Sequence, residues 1–442
     1  MARCRCNGKI LCLCLLPCVM MSHLLVYIMV SIFVAVSYSP PQLPVHFIAP
    51  GASSDTEAGA PHPLGSFWSL RLEDRALWNH LQHFQDREHN PILRANGTHT
   101  ESTPETTRGE EETKDCSPDQ RWVSHLHDFN VLPEQMKDFV LSMHCRQYTM
   151  LRDQPNLCSG EDGEMETPLL LMAIKSQVGH FENRQAIRET WGRSGWVKGI
   201  PGGRGGLVRT VFLLGRQDTS TGPHPDLRAL LDLESSHYRD ILQWDFRDTF
   251  YNLTLKDVLF WDWLSKRCPH VQFIFKGDDD IFVRTDALLD YLHKYHGHSL
   301  NHNRTLKDQQ KKELFLVGDV ITNAWPNRQP SAKYYIPESF YRGVYPVYAG
   351  GGGVVYSGAL ARHLRQVSQW VSLFPIDDVY LGMCLHRLGM SPTHHPGFLT
   401  FDLPEADRRK PCAYGTVILV HKRSPKEMLL LWRELQTPPA NC

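Results

Sequence analysis

Short apolar runs alternate with amphipathic stretches of helical spacing through the C-terminal two-thirds of this chain. Leu169-Leu-Leu-Met-Ala-Ile174 is apolar at every position, the pattern of a strand buried on both faces. Residues 182–191 then read as helix, 208–214 as a strand closed by Gly215, and 224–236 as helix. A third strand over 240–245, a helix over 253–266 and a fourth strand over 271–276 follow. Strands alternating with helices predict an α/β fold whose sheet contains parallel pairs. Ligands of such sheets sit beyond the carboxyl ends of the strands.

The N-terminal part follows other patterns. Residues 10–36 contain no charged side chain and follow a short segment, 1–9, that carries Arg3, Arg5 and Lys9. About 20 apolar residues cross a bilayer, so 10–36 is expected to be a signal anchor with its basic end in the cytosol and the rest lumenal. Ala35-Val36-Ser37 also fits a signal-peptide cleavage site, but the run exceeds the ~7–15 apolar residues of such peptides. Residues 37–115 are rich in Pro, Gly, Thr and Glu and are expected to form a largely disordered stem, with one amphipathic piece near 68–84. Folding signals are sustained over 116–442, read as one domain.

Composition narrows the partners. The net charge of −1 points away from nucleic acid. Of twelve cysteines, Cys4, Cys6, Cys12, Cys14 and Cys18 lie in or beside the apolar segment, where S-palmitoylation is an option. Cys116, Cys145, Cys158, Cys268, Cys384, Cys412 and Cys442 are too widely spaced for a zinc site and suit disulfides in an oxidising lumen; their odd number leaves one free or paired between chains. Sequons at Asn96, Asn252 and Asn303 agree with a secretory route.

The chemistry concentrates at Asp278-Asp279-Asp280, between the 271–276 strand and Ile281-Phe-Val283. Adjacent carboxylates repel, and burying them is costly without a cation. Hard oxygen ligands at a strand end suit Mn²⁺ or Mg²⁺ shared with phosphate oxygens. A solvated acidic turn is the bland alternative, which the flanking buried strands oppose.

Several segments, in order, resemble the animal β-1,3-glycosyltransferases, the family of β-1,3-galactosyl- and β-1,3-N-acetylglucosaminyltransferases. They are Glu-Asn-Arg-Gln-Ala-Ile-Arg-Glu-Thr-Trp-Gly at 182–192, Val-Phe-Leu-Leu-Gly at 211–215, Asp-Thr-Phe-Tyr-Asn-Leu-Thr-Leu-Lys at 248–256 and Phe-Lys-Gly-Asp-Asp-Asp at 275–280. Gly-Asp-Val at 318–320, Lys-Tyr-Tyr-Ile-Pro at 333–337, Tyr-Pro-Val-Tyr-Ala-Gly-Gly-Gly-Gly at 345–353 and Pro-Ile-Asp-Asp-Val-Tyr at 375–380 continue the resemblance. It covers 115–442, and its last two segments are most similar to the branch that extends poly-N-acetyllactosamine.

The resemblance implies a GT-A fold (a Rossmann-like mixed sheet flanked by helices), a UDP-sugar donor, a divalent metal and inversion at the anomeric carbon. It further implies a type II Golgi membrane protein that transfers GlcNAc from UDP-GlcNAc to terminal galactose, as a homodimer or in association with other glycosyltransferases. A UDP-galactose donor, or an inactive lectin or chaperone of the same fold, are the competing readings.

By resemblance Asp280 is the direct metal ligand, with Asp278 or Asp279 nearer the ribose or one shell out from the ion, and His421 is a candidate second ligand. Asp378 corresponds to the base that takes the acceptor proton, with Asp377 holding the acceptor or capping the helix that follows. Arg184 and Arg188, one helical turn apart, are candidates for the diphosphate, or else surface ion pairs with acids such as Glu189. Asp248, Lys256 and Lys276 are expected near the nucleotide. Gly351 and Gly352, within the 350–353 run, allow a close backbone approach by a ligand, and Tyr345, Tyr348 and Tyr356 suggest a sugar-binding wall.

Overall fold

The computed structural model describes residues 23–29, 76–89, 116–158, 167–218, 225–299 and 314–436. The chain divides into two compact units, Met1–Pro61 and His62–Cys442. In the first, residues 23–29 are helical. Among the described residues no helix is long and apolar enough to cross a membrane, and the rest of the expected anchor lies outside them. Asn96 and Asn303 also lie outside them.

The second unit is built on a nine-stranded mixed sheet. Its strands are β1 (Met150–Arg152), β2 (Leu170–Lys175), β3 (Gly195–Val197), β4 (Gly206–Arg216), β5 (Ile241–Arg247), β6 (Phe273–Asp278), β8 (Leu316–Ile321), β9 (Tyr348–Ser357) and β10 (Thr393–His394). The order is β1-β5-β4-β2-β6-β9-β8-β10, with β3 paired to β4. β5, β4, β2 and β6 run parallel, and β9 returns antiparallel between β6 and β8. A second sheet joins β7 (Phe282–Val283), β11 (Phe398–Leu399) and β12 (Leu419–Val420).

Strand alternation divides the core. Leu171, Ala173, Val211, Leu213 and Ile274 face one apolar cluster, while Leu170, Met172, Ile174, Phe212 and Phe275 face the other. The first side is covered by α1 (Leu77–His89), α2 (Glu134–Ser142), α5 (Leu253–Arg267), α7 (Gly358–Val367) and α8 (Asp377–Arg387). The second carries α3 (Phe181–Glu189), α4 (Arg228–Tyr238), α6 (Thr285–Ser299) and α9 (Pro425–Gln436). The same alternation turns Lys175, at the end of β2, and Lys276, in β6, towards the α5 and α8 side. Register matters here, because Lys175 lies opposite Asp278 across β2 and β6.

Helix α1 falls within the span read as stem, yet Trp78 is fully buried against Tyr341 and Phe374. The folded unit therefore begins before residue 116.

Disulfides join Cys116 to Cys145 and Cys158 to Cys268. Cys412 is also disulfide-bonded, and Cys384 is a free, buried thiol. Asn252 is buried, its amide donating to the Arg247 carbonyl at 2.9 Å. Burial pushes the Cys384 thiol up to about 12, which suppresses its reactive thiolate. Peptide mapping after treatment with a thiol-alkylating reagent at pH 8 should find Cys384 unlabelled in the folded protein and labelled in denaturant.

Candidate active site

Four chain segments meet beyond the carboxyl end of β6. Asp278 closes that strand, and β7 starts two residues after Asp280. Antiparallel pairing of Phe282 with Val420 returns the chain so that His421 Nε2 lies 3.4 Å from Asp280 Oδ1. The Arg423 amide donates to the Asp280 carbonyl at 2.6 Å and pins the corner. One ligand atom each from Asp278, Asp280 and His421 lies within 4.8 Å of the others.

This donor set fits a divalent cation. His421 Nδ1 is 3.3 Å from the Thr400 carbonyl, so a proton there is donated to that oxygen and leaves Nε2 to face the acids. Burial acts to lower the His421 pKa, but Asp280 outweighs it and raises it, drawing positive charge to this point. Asp280 shifts the opposite way. Burial would raise it, and His421 holds it below the ordinary carboxylate range. Asp279 faces elsewhere: its carboxylate accepts from Ser176 Oγ at 2.5 Å and lies 2.8 Å from His180 Nδ1.

The glycines of β9 run beside this corner. Gly351 and Gly352 both have φ near +87°, which disfavours any side chain. A Cβ on Gly351 would fall 1.9 Å from Thr400 Oγ1, and one on Gly352 would fall 3.1 Å from the His421 ring. Thr400 thus packs against Gly351, and Ile281 and His421 against Gly352. Gly382 does the same for α8, since a Cβ there would lie 2.6 Å from Tyr348 Cβ. The helix consequently lies on β9, with Asp378 Oδ2 3.6 Å from where a Gly350 Cβ would be.

Asp377 and Asp378 open α8, where the helix dipole favours anions. The cap position is Ile376 and no side chain caps the helix, so the capping role considered for Asp377 is not what it does. Asp377 is sandwiched by two buried lysines: it pairs with Lys175 and lies 3.4 Å from Lys276. Lys175 also reaches Asp278 at 3.0 Å, and Lys276 reaches Asp257 at 2.7 Å. Burial works to raise the Asp377 carboxyl, but Lys175 and Lys276 outweigh it and hold it ionised. Asp378 is placed differently. Its side chain is 26% exposed against 7% for Asp377, and its nearest cation, Lys276, is 3.9 Å away. Burial and the neighbouring Asp377 charge push it up to about 7, against the pull of the lysines. A carboxylate that titrates near neutrality at a cleft surface can accept a proton.

Other expected residues lie elsewhere. Arg184 is fully buried and spends its guanidinium on Glu234 at 2.6 and 2.9 Å, Ser176 Oγ and the carbonyls of Gln177 and Val178. Arg188 binds Glu234 and Asp240, each at 2.7 Å. Both are internal struts rather than diphosphate contacts, and neither uses Glu189. Lys256 is fully buried, donating to the Ser176 carbonyl at 2.5 Å and pairing with Asp248 at 2.9 Å beneath the β2 terminus. Lys276, Lys256 and Asp248 therefore support the site from below rather than reach a nucleotide. Tyr356 is buried and bonded to Trp261, and Tyr345 is buried too. Of the expected aromatic wall, Tyr348 is the residue that meets the cleft, its hydroxyl pushed up to about 12 by burial and then by Asp378. Tyr334, half exposed and feeling the charge of Asp378 and Asp278, faces the same space. A groove along α5 and β1, lined by Tyr148, Trp244 and Trp263, contains none of the site's acids.

Comparisons with known proteins show which sequences the chain resembles over this region. A family model described as galactosyltransferase matches residues 182–396. The mouse N-acetyllactosaminide β-1,3-N-acetylglucosaminyltransferase 2 is 46% identical over 382 residues, covering 86% of this chain and 89% of the relative. Its human counterpart is 45% identical over the same shares. The rat UDP-GlcNAc:βGal β-1,3-N-acetylglucosaminyltransferase 7 is 41% identical over 342 residues, covering 75% of this chain and 79% of the relative.

The charge arrangement sets the pH response. With Asp378 as proton acceptor, the role its carboxyl would suit, kcat/KM is expected to rise with pH along an acidic limb centred near the 7 to which that carboxyl is pushed. Asp377→Asn removes the adjacent negative charge and frees both lysines for Asp378, so both effects move that limb to lower pH. A pH–rate profile of the two proteins checks the sign.

Proposed function

Because the chain belongs to the galactosyltransferase family of β-1,3-glycosyltransferases, we propose that it transfers GlcNAc from UDP-GlcNAc to the 3-hydroxyl of terminal galactose on N-acetyllactosamine chains. The observation that carries this reading is the nearness of the Asp278, Asp280 and His421 cluster to Asp378, whose carboxyl feels the Asp278 charge; in this reading the cluster holds a metal and Asp378 accepts a proton. The relatives' names supply the donor and acceptor. A divalent ion, Mn²⁺ or Mg²⁺, would be held by Asp280 and His421 with Asp278 and would neutralise charge developing on the UDP diphosphate.

The chain's own residues do the rest. Asp378 takes the proton as the acceptor oxygen attacks the anomeric carbon in line with the departing UDP, which inverts that centre. Lys175 and Lys276 keep Asp377 ionised, so the proton goes to Asp378 and not to its neighbour. Tyr348 and Tyr334 offer ring faces at the rim for the sugars. We place the enzyme in the Golgi membrane as a type II protein, with residues 10–36 as anchor and self-association or pairing with other glycosyltransferases as its assembly.

Asp378→Asn should lower turnover by at least ~10²-fold and leave UDP affinity nearly unchanged. Chelation should abolish transfer, and Asp280→Ala should abolish metal-dependent UDP binding. Competition of UDP-GlcNAc with UDP-Gal on a lactosamine acceptor, read by exoglycosidases, should give β1,3-linked GlcNAc. Dominant galactose incorporation would overturn the donor assignment and leave the metal and base assignments standing.

A further inference from the structure

Helix α1 lies outside the 182–396 region that defines the family match, yet it is bonded into the domain as a tether would not be. Besides Trp78, it buries three polar side chains, Asn79, Gln82 and Asp86. Buried polar groups are costly unless satisfied, and a satisfied set fixes one geometry.

These groups grip two segments. On the first, the Leu77 and Trp78 amides donate to the Ser339 and Phe340 carbonyls at 2.8 Å. Asn79 then clamps Arg342, donating to its carbonyl at 2.7 Å and accepting from its amide at 3.1 Å. On the second, Trp78 Nε1 donates to the Ser372 carbonyl at 3.0 Å, while Gln82 accepts from the Ser372 amide at 2.8 Å and donates to the Trp370 carbonyl at 3.0 Å. Asp86 pairs with Arg387 at the far end of α8.

Both segments lead to the acceptor side of the cleft. The first continues into Tyr348 and the glycines of β9, and the second into Asp377 and Asp378. Each of these polar bonds goes to residues 339–342, 370–372 or 387, and none to β2, β4, α3 or the Asp278–His421 cluster. We infer that α1 is a positioning element of the acceptor half of the active site, which sets where Asp378 and Tyr348 stand relative to one another without contributing to nucleotide binding. The inference rests on Asp378 being the base.

The test is steady-state kinetics of the full chain carrying Gln82→Ala or Asp86→Ala, with metal-dependent UDP binding measured by calorimetry. Acceptor kcat/KM should fall by about tenfold or more while the UDP dissociation constant stays within about twofold, because misplacement by a fraction of an ångström penalises transfer and not donor binding. If either variant fails to fold, Trp78→Phe, which keeps a benzene ring but loses the indole N–H that bonds the Ser372 carbonyl, gives the same two readings. Unchanged acceptor kinetics, or a parallel loss of UDP affinity, would overturn the inference. Asp378→Asn, run alongside, separates the two claims. If it retains turnover, the base assignment fails, whatever the helix variants do.

Discussion

Two buried lysines hold this active site together. Lys175 and Lys276 stand on adjacent parallel strands and point to the same side of the sheet, where Asp257, Asp278, Asp377 and Asp378 surround them. Carboxylates this crowded would not remain ionised in a protein interior without cations. The lysines neutralise Asp257 and Asp377, Lys175 also holds Asp278 at 3.0 Å, and Asp378 is left farthest from them at 3.9 Å. Two adjacent aspartates of one helical turn thereby acquire different chemistry. Asp377 is a fixed anion and Asp378 is a group that titrates near neutrality. Loss of either lysine would leave buried negative charge uncompensated, which is more damaging than never having placed it there.

The cleft is assembled from parts that are distant in sequence and approach closely only where side chains are absent. Gly351 and Gly352 admit Thr400 and His421, and Gly382 admits Tyr348. His421 and Asp378 therefore both lie against the glycine strand, at Gly352 and Gly350 respectively. The second sheet, small as it is, brings His421 to Asp280 through the pairing of β7 with β12.

Much of the fold was legible. The strands over 169–174, 208–214, 240–245 and 271–276 are β2, β4, β5 and β6, each within a few residues, because parallel strands buried on both faces leave unbroken apolar runs. The helices α3, α4 and α5 are legible from their helical spacing. Of the acids and the histidine that stand out in sequence, Asp278, Asp280 and His421 lie within ligand distance of one another and Asp378 is close enough to feel the Asp278 charge, whereas Asp279 turns away to Ser176 and His180. What periodicity could not give was partnership. Arg184 and Arg188 look alike in sequence whether they face phosphate or acid, and Glu234, which decides the matter, lies 50 residues beyond Arg184. Lys175 and Asp257 were missed because a lysine ending an apolar run and an acid inside a helix are unremarkable until strand register and helix packing oppose them. A charged residue within an otherwise apolar strand was the available signal. Helix α1 was read as stem since low-complexity sequence surrounds it, while its buried face is defined only by the loops it meets.

In the proposed mechanism the Asp278, Asp280 and His421 cluster serves the donor and the lysine-poised Asp378 the acceptor. The most direct measurement is a crystal structure of the enzyme with UDP, Mn²⁺ and a lactosamine acceptor. The account predicts the ion among Asp278, Asp280 and His421, and the galactose 3-hydroxyl within about 3 Å of the Asp378 carboxylate. An ion bound elsewhere, or that hydroxyl against a different carboxylate, would contradict it.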